Sequence, residues 1–198
     1  MASLTFPEKP QLQMAWPFAT RPACPRVSPA DGYSIRTFQP GDEAAFLDLM
    51  ARLDFGPWDE AQLAYNLNKI IPEGWFFVTD SSRRIVATAM CLHNYSGQSP
   101  FTGDLGWLAC HADHRGKSLG LALCARVTQR LLEAGYTTIQ LHTEYFRLPA
   151  ITTYLRIGFV PLITSSEASS LWEEACTRLN WRFTPVIWQR QTQQGACR

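Results

Sequence analysis

Residues Gly103 to Ala134 constrain the fold more than any other stretch of the chain. A strand-like run, Leu105 to His111, enters a turn dense in charge and glycine, Asp113 to Gly120, which opens directly into an amphipathic helix. Leu119, Ala122, Leu123, Val127 and Leu131 keep the helical period, and Gly135 is the expected stop. Thr138 to Thr143 reads as the next strand, so strand, helix and strand make a βαβ unit with parallel strands. The helix start in such a unit is an anion site. Its first N–H groups have no intrahelical acceptor, and the macrodipole puts partial positive charge there. Arg115 and Lys117 add full charges on either side of Gly116, so the turn suits a pyrophosphate.

Two nucleotide-binding patterns fit this turn poorly. Gly116-Lys117-Ser118 has the end of a P-loop, but that motif needs a glycine where His111 stands. A dinucleotide fingerprint needs a G-x-G after the strand, and only Gly116 and Gly120 are available.

The rest of the 198-residue chain bounds the answer. Its hydrophobic class is 46%, enough for one globular domain with a core. A formal net charge of +1 argues against general attraction to nucleic acid. Six cysteines form no C-x-x-C pair and no metal-ligand spacing with histidine, so no metal is expected. Cys91, Cys110 and Cys124 read as small buried hydrophobes, which fits a reducing cytosol. No apolar run reaches the ~18 residues of a membrane span, and no signal segment is evident, so a soluble cytoplasmic protein is expected.

Residues 1–30 carry prolines at 7, 10, 17, 22, 25 and 29, which make a central strand unexpected. This proline-rich arm either lies on the domain surface, held by Phe6, Met14, Trp16 and Phe18, or is a flexible leader. The domain is expected over 31–190. Tyr33 to Phe38 is a strand, and Asp42 is expected to cap a helix from Glu43 to Leu53. Asp54-Phe55-Gly56-Pro57-Trp58 breaks it, and Asp59 caps a second helix reaching about Ile71, ended by Pro72 and Gly74. A hairpin follows, Trp75 to Thr79 with Ile85 to His93, and a loop from Asn94 to Thr102 leads to the central strand. Pro149 is placed as the first residue of a short helix that Gly158 closes, and Phe159 to Ile163 is a strand. Ser165 to Leu179 is expected helical, Phe183 to Trp188 a last strand, and 191–198 a polar tail. The class is α/β (α+β with a mixed sheet).

The segment His114-Arg115-Gly116-Lys117-Ser118-Leu119-Gly120 resembles the acetyl-CoA pyrophosphate loop of the GNAT N-acetyltransferase superfamily, Gln/Arg-x-x-Gly-x-Gly/Ala. Arg115 fills the first position and Gly120 the last, while Ser118 replaces the middle glycine. Pro149-Ala150-x-x-x-Tyr154-x-x-x-Gly158-Phe159 is similar to the family's second signature, and the deduced element order matches from about Tyr33 to Ile163. Arg147 stands where the family often has Asn.

The resemblance implies a GNAT fold and acetyl-CoA as cosubstrate, bound by Arg115, Gly116, Lys117, Ser118, Leu119, Gly120 and Arg147. It also implies that the strand entering the turn bulges and splays from its parallel neighbour. The pantetheine arm would then meet the backbone of Leu108 and Cys110, with the Cys110 N–H as oxyanion donor and Tyr154 as general acid. For a base, Asp104 and Glu144 are the nearest carboxylates, with His111 and His142 as alternatives. Phe55, Trp58 and Asp59 are candidates for an acceptor pocket, for a small-molecule or peptide amine, with no nucleic-acid or membrane partner. The expected function is N-acetyl transfer. A non-catalytic acyl-CoA sensor and a nucleotide-phosphate enzyme using Gly116-Lys117-Ser118 remain as alternatives.

Overall fold

A computed structural model describes residues 10–53, 55, 58–95, 97 and 101–193. The expectations for 1–9, for Asp54, Gly56 and Pro57, for positions 96 and 98–100 of the loop before the central strand and for the tail at 194–198 lie outside the described residues. In chain order the elements are β1 (Gln11–Ala15), β2 (Ser34–Thr37), α1 (Glu43–Ala51), α2 (Glu60–Leu67), β3 (Ile70–Thr79), β4 (Ile85–His93), β5 (Thr102–Cys110), α3 (Leu119–Glu133), β6 (Thr138–Glu144), α4 (Leu148–Ile157), β7 (Val160–Leu162), α5 (Ser166–Leu179) and α6 (Pro185–Gln193). The strands form one mixed sheet in the order β2-β3-β4-β5-β6-β1-β7. Among the described residues only β5 and β6 pair in parallel, as the βαβ reading requires.

The two larger hydrophobic clusters lie on opposite faces of the sheet, beside a small third one of Val160, Cys176 and Trp188. Leu119, Leu123, Val127 and Leu131 of α3 pack with Ile151 and Tyr154 of α4 and Trp172 of α5 on one face. Phe46 and Met50 of α1 and Leu63 of α2 pack with Trp75, Phe77 and Leu92 on the other. Helix α3 ends as its sequence dictates: Gly135 takes φ 87°. Its N–H reaches the Leu132 carbonyl and the N–H of Tyr136 reaches that of Leu131, a Schellman closure. Cys91 and Cys124 are buried and Cys110 is half-buried. No described helix is long and apolar enough to cross a membrane.

Four expectations are corrected. The proline-rich arm contains β1, which lies between β6 and β7 and pairs antiparallel with both. Pro10 and Pro17 flank the strand rather than interrupt it, so all five of its N–H groups remain available, and Leu12 and Met14 are fully buried. The stretch Phe183 to Trp188 is not a strand. Pro185 is the first residue of helix α6, where a missing N–H costs nothing, and Trp188 packs on Phe183 and Trp172. Ile70 and Ile71 belong to β3 and not to α2, because Pro72 disfavours helical backbone at the residue before it. Asp42 does not cap α1 with its side chain. Its carboxylate accepts two bonds from Arg36, at 2.6 and 2.8 Å, and one from the Gln39 N–H.

Candidate active site

Strands β5 and β6 are in register only at Thr102 with Thr138, Gly103 with Ile139 and Asp104 with Gln140. Beyond Asp104 they part. The cause is in β5. Met90 of β4 opposes Gly106 and Thr88 opposes Ala109, so Trp107 and Leu108 together face the single residue Ala89. This is a β-bulge, and Trp107 holds φ 51° to make it. A side chain at Gly106 would run into Leu92, which is why glycine precedes the bulge.

The backbone on the open side of β5 follows from the ladder. The His111 N–H donates to the Val86 carbonyl, so His111 and Ala109 turn their polar groups toward β4. Leu108 and Cys110, alternating with them, turn theirs toward the fork, where no β6 residue is in register. Both residues named from the sequence as backbone contacts therefore face the gap.

The fork leads into the turn. A short 3₁₀ segment, Ala112–His114, precedes Arg115, and Gly116 and Ser118 take φ 76° and 57°. The first helical bond of α3 runs from the Ala122 N–H to the Ser118 carbonyl. Among the described residues, the N–H groups of Gly116 through Leu121 donate to nothing, so six donors lie unspent along the helix start. Ser118 adopts left-handed backbone at the position where the resembling motif has glycine, which gives the physical reason for that glycine. The Lys117 ammonium points elsewhere: it donates to the Tyr33 hydroxyl at 2.8 Å, and that hydroxyl meets His114 Nδ1 at 2.9 Å. Lys117 therefore offers its N–H to the turn while its charge lies on Tyr33.

Tyr154 is 5% exposed on the α4 face of the sheet, edge-on to Phe159 at 6.4 Å. Its hydroxyl has no hydrogen-bond partner among the described residues, yet it is not one of the fully enclosed unpartnered atoms. Burial drives its pKa far above the ordinary phenol value; Cys124 and Glu144 add to this and Arg147 opposes it.

The opposite face of the fork is aromatic. Trp107 packs edge-on against Trp58 at 4.5 Å, Phe55 at 6.3 Å and Tyr95 at 6.4 Å. The Trp107 indole N–H donates to Asn66 Oδ1 at 2.6 Å, and Asn66 itself is fully buried on α2. Arg147 stacks 4.2 Å above Phe55 and pairs with Glu144 at 2.6 Å. Phe55 and Trp58 are thus brought together with Arg147, as a wall beside the bulge. Asp59 is not part of it; its carboxylate caps α2 through the Gln62 N–H at 2.7 Å.

Asp104, named from the sequence as a candidate base, is 3% exposed at the last paired position before the fork. Its carboxylate accepts from Gln140 Nε2 and from the Tyr95 N–H, both at 3.0 Å. Burial raises its pKa, opposed by these bonds and by His142 and His93. Burial likewise lowers the pKa of His142, opposed by Asp104. His111 lies apart, at the start of the turn, where its Nδ1 accepts the Asp113 N–H. It borders a cavity of about 540 Å³ between α1, the β3–β4 turn and His114, lined by Arg83 and by three arginines that are already paired: Arg36 with Asp42, Arg52 with Asp48 and Arg84 with Asp80.

Asn66 and Tyr95 were not evident as site residues in the sequence. The one available signal was a polar residue three positions after Leu63 on the apolar face of α2.

Comparison with known proteins identifies the family and the fold. Residues 44–159 fit the model of the Acetyltransferase (GNAT) family. The mycothiol acetyltransferase of Sanguibacter keddieii is 29% identical over 153 residues, which cover 71% of this chain and 48% of that protein. The chain spans about half the length of the curated relatives it matches. A GCN5-related N-acetyltransferase from Sphaerobacter thermophilus shares the fold with a TM-score of 0.63 at 22% identity, over 77% of this chain and 48% of that one. A chain of the NatC complex bound to Gag peptide and CoA does so with a TM-score of 0.58 at 19% identity, over 66% and 86%. The matched family region contains the bulged strand, the unspent N–H row and the helix of Tyr154, and the chain belongs to the acetyltransferase (GNAT) family.

Proposed function

We propose that this chain moves an acetyl group from acetyl-CoA to a primary amine by direct attack, with Tyr154 as the general acid. The observation that carries the reading is the open fork itself: outward-facing backbone at Leu108 and Cys110, ending at six N–H groups without an acceptor among the described residues. Such a row fits a pyrophosphate, with Arg115 beside it. The backbone of Leu108 and Cys110 offers N–H and C=O groups to an amide-bearing arm. The Cys110 N–H is the donor for charge developing on the thioester oxygen, a role of roughly 3 kcal/mol when well placed.

Burial keeps the Tyr154 phenol protonated at neutral pH, so it holds a proton to give to the departing thiolate. An unperturbed thiol has a pKa of about 8.5, below a phenol's, so the transfer needs a thiolate that is itself desolvated. On the amine side, Glu144 is committed to Arg147. His142 is kept neutral by burial, with the Asp104 carboxylate to stabilise its charged form, so this pair takes the proton from the incoming ammonium. The aromatic wall of Phe55, Trp58 and Trp107 favours a small-molecule amine.

The test is Tyr154→Phe. Thiol release from acetyl-CoA in the presence of amines should fall by about 10²-fold or more, while calorimetric acetyl-CoA affinity stays within twofold. Transfer at the unmutated rate would remove Tyr154 from the mechanism. Binding of ATP with none of acetyl-CoA would overturn the reading altogether.

A further inference from the structure

We infer that Gln13 and Gln11, on the N-terminal strand β1, form one side of the acceptor subsite and select an amine whose body carries hydroxyl or amide groups. This rests on the transferase reading above.

The placement follows from register. Gln140 hydrogen-bonds Asp104, so both side chains project on one face of the sheet. Side chains alternate along a strand, which carries His142 and Glu144 to the same face, while Ile139 and Leu141 are buried in the core of the other. The antiparallel pairing sets Gln13 opposite His142 and Gln11 opposite Glu144. Directly opposed residues share a face, so both glutamines stand beside the residues that line the β6 edge of the fork. Leu12 and Met14 point the other way, into the core with α3 and α5. Leu162 of β7 flanks Gln13 from the far side.

Gln13 is half-buried and Gln11 exposed, and neither carboxamide has a hydrogen-bond partner among the described residues. A carboxamide offers two donors and one acceptor with no charge. Next to it, the charge of Arg147 is already met by Glu144. The group that this row recognises is therefore a neutral one with its own donors and acceptors, held while the amine reaches the fork.

Three amines of similar size serve as probes with acetyl-CoA: glucosamine for hydroxyls, alaninamide for an amide, and cyclohexylamine for neither. The expected result is that glucosamine or alaninamide exceeds cyclohexylamine in kcat/KM. Gln13→Leu should then lower that preferred value about tenfold, while leaving cyclohexylamine turnover, the KM for acetyl-CoA and the melting temperature unchanged. Gln11→Leu, at an exposed position, gives the same test should Gln13→Leu fold poorly. Equal loss for all three amines, or a preference for cyclohexylamine in the unmutated protein, would overturn the inference. Acetyl-CoA binding without thiol release for any amine would instead sink the transferase reading, and this inference with it.

Discussion

Trp107 donates its indole N–H to Asn66 Oδ1 across 2.6 Å, and this one bond ties the bulge of β5 to helix α2. The bulged residue holds left-handed backbone, which side chains other than glycine adopt at a cost, so something must hold it there. Asn66 does so from a fully buried position, itself fixed by donating to the Gln62 carbonyl at 2.8 Å.

Replacing Asn66 by Ala should cost about 1–3 kcal/mol, because it strands the Trp107 N–H without an acceptor. Urea unfolding measures that loss. Turnover should fall as well, since the fork is held open by the same bulge. A variant with unmutated stability and rate would show that the bulge persists without its anchor.

Ser118 marks a second strained position. Left-handed backbone costs a non-glycine residue about 1–2 kcal/mol, and the Ser118 side chain makes no capping bond in return. Ser118→Gly should raise stability by about 0.5 kcal/mol, the relief being partly offset by glycine's greater freedom in the unfolded chain. Acetyl-CoA affinity should hold or improve. Ser118→Val, branched at Cβ, should lose more than 1 kcal/mol. Denaturant midpoints and calorimetry on the two variants decide the matter.

The acid side of the pH profile has a definite sign. Burial lowers the folded-state pKa of His142. Its contribution to stability is therefore complete above the unfolded imidazole value of about 6.5 and is lost as pH falls through the lower, folded value. Denaturant midpoints taken from pH 8 down to pH 5 should decline for the unmutated protein and decline less for His142→Gln. The opposite holds for Asp104, whose pKa burial raises. It contributes fully below the unfolded carboxyl value, and that contribution disappears as pH rises through the folded one. Asp104→Asn should accordingly gain stability at neutral pH relative to acid.

A chain begun at residue 31 tests the N-terminal strand. It would lose Leu12, Met14 and Trp16, exposed by 0%, 0% and 4%. At about 1.5–3 kcal/mol per fully buried side chain, the loss is on the order of 5 kcal/mol. That is comparable to the whole stability of a typical domain, about 5–15 kcal/mol. The truncated protein should show no cooperative thermal transition. A sharp melt near the full-length temperature would demote β1 to an accessory.

What the sequence determined was local. The strand, glycine turn and helix from Leu105 to Glu133 were legible because N–H groups at a helix start, the period of Leu119 to Leu131, and Gly135 are short-range physics. The same holds for Asp59 as a cap and for Gly158 as a stop, each bonded within three or four residues. Only the tertiary structure decided which strand fills the place between β6 and β7. Strand pairing draws on residues far apart in the chain, and the six residues between Pro10 and Pro17 carry little local signal until Leu12 and Met14 find a core to enter. With β1 in that place, Phe183 to Trp188 adds no strand to the sheet, and Pro185 opens helix α6. The same distance in sequence hid Asn66 beneath Trp107, 41 residues away, and Gln13 beside His142. The turn could be recognised from its own residues; the walls of the site that it serves come from strands and helices that only folding brings together.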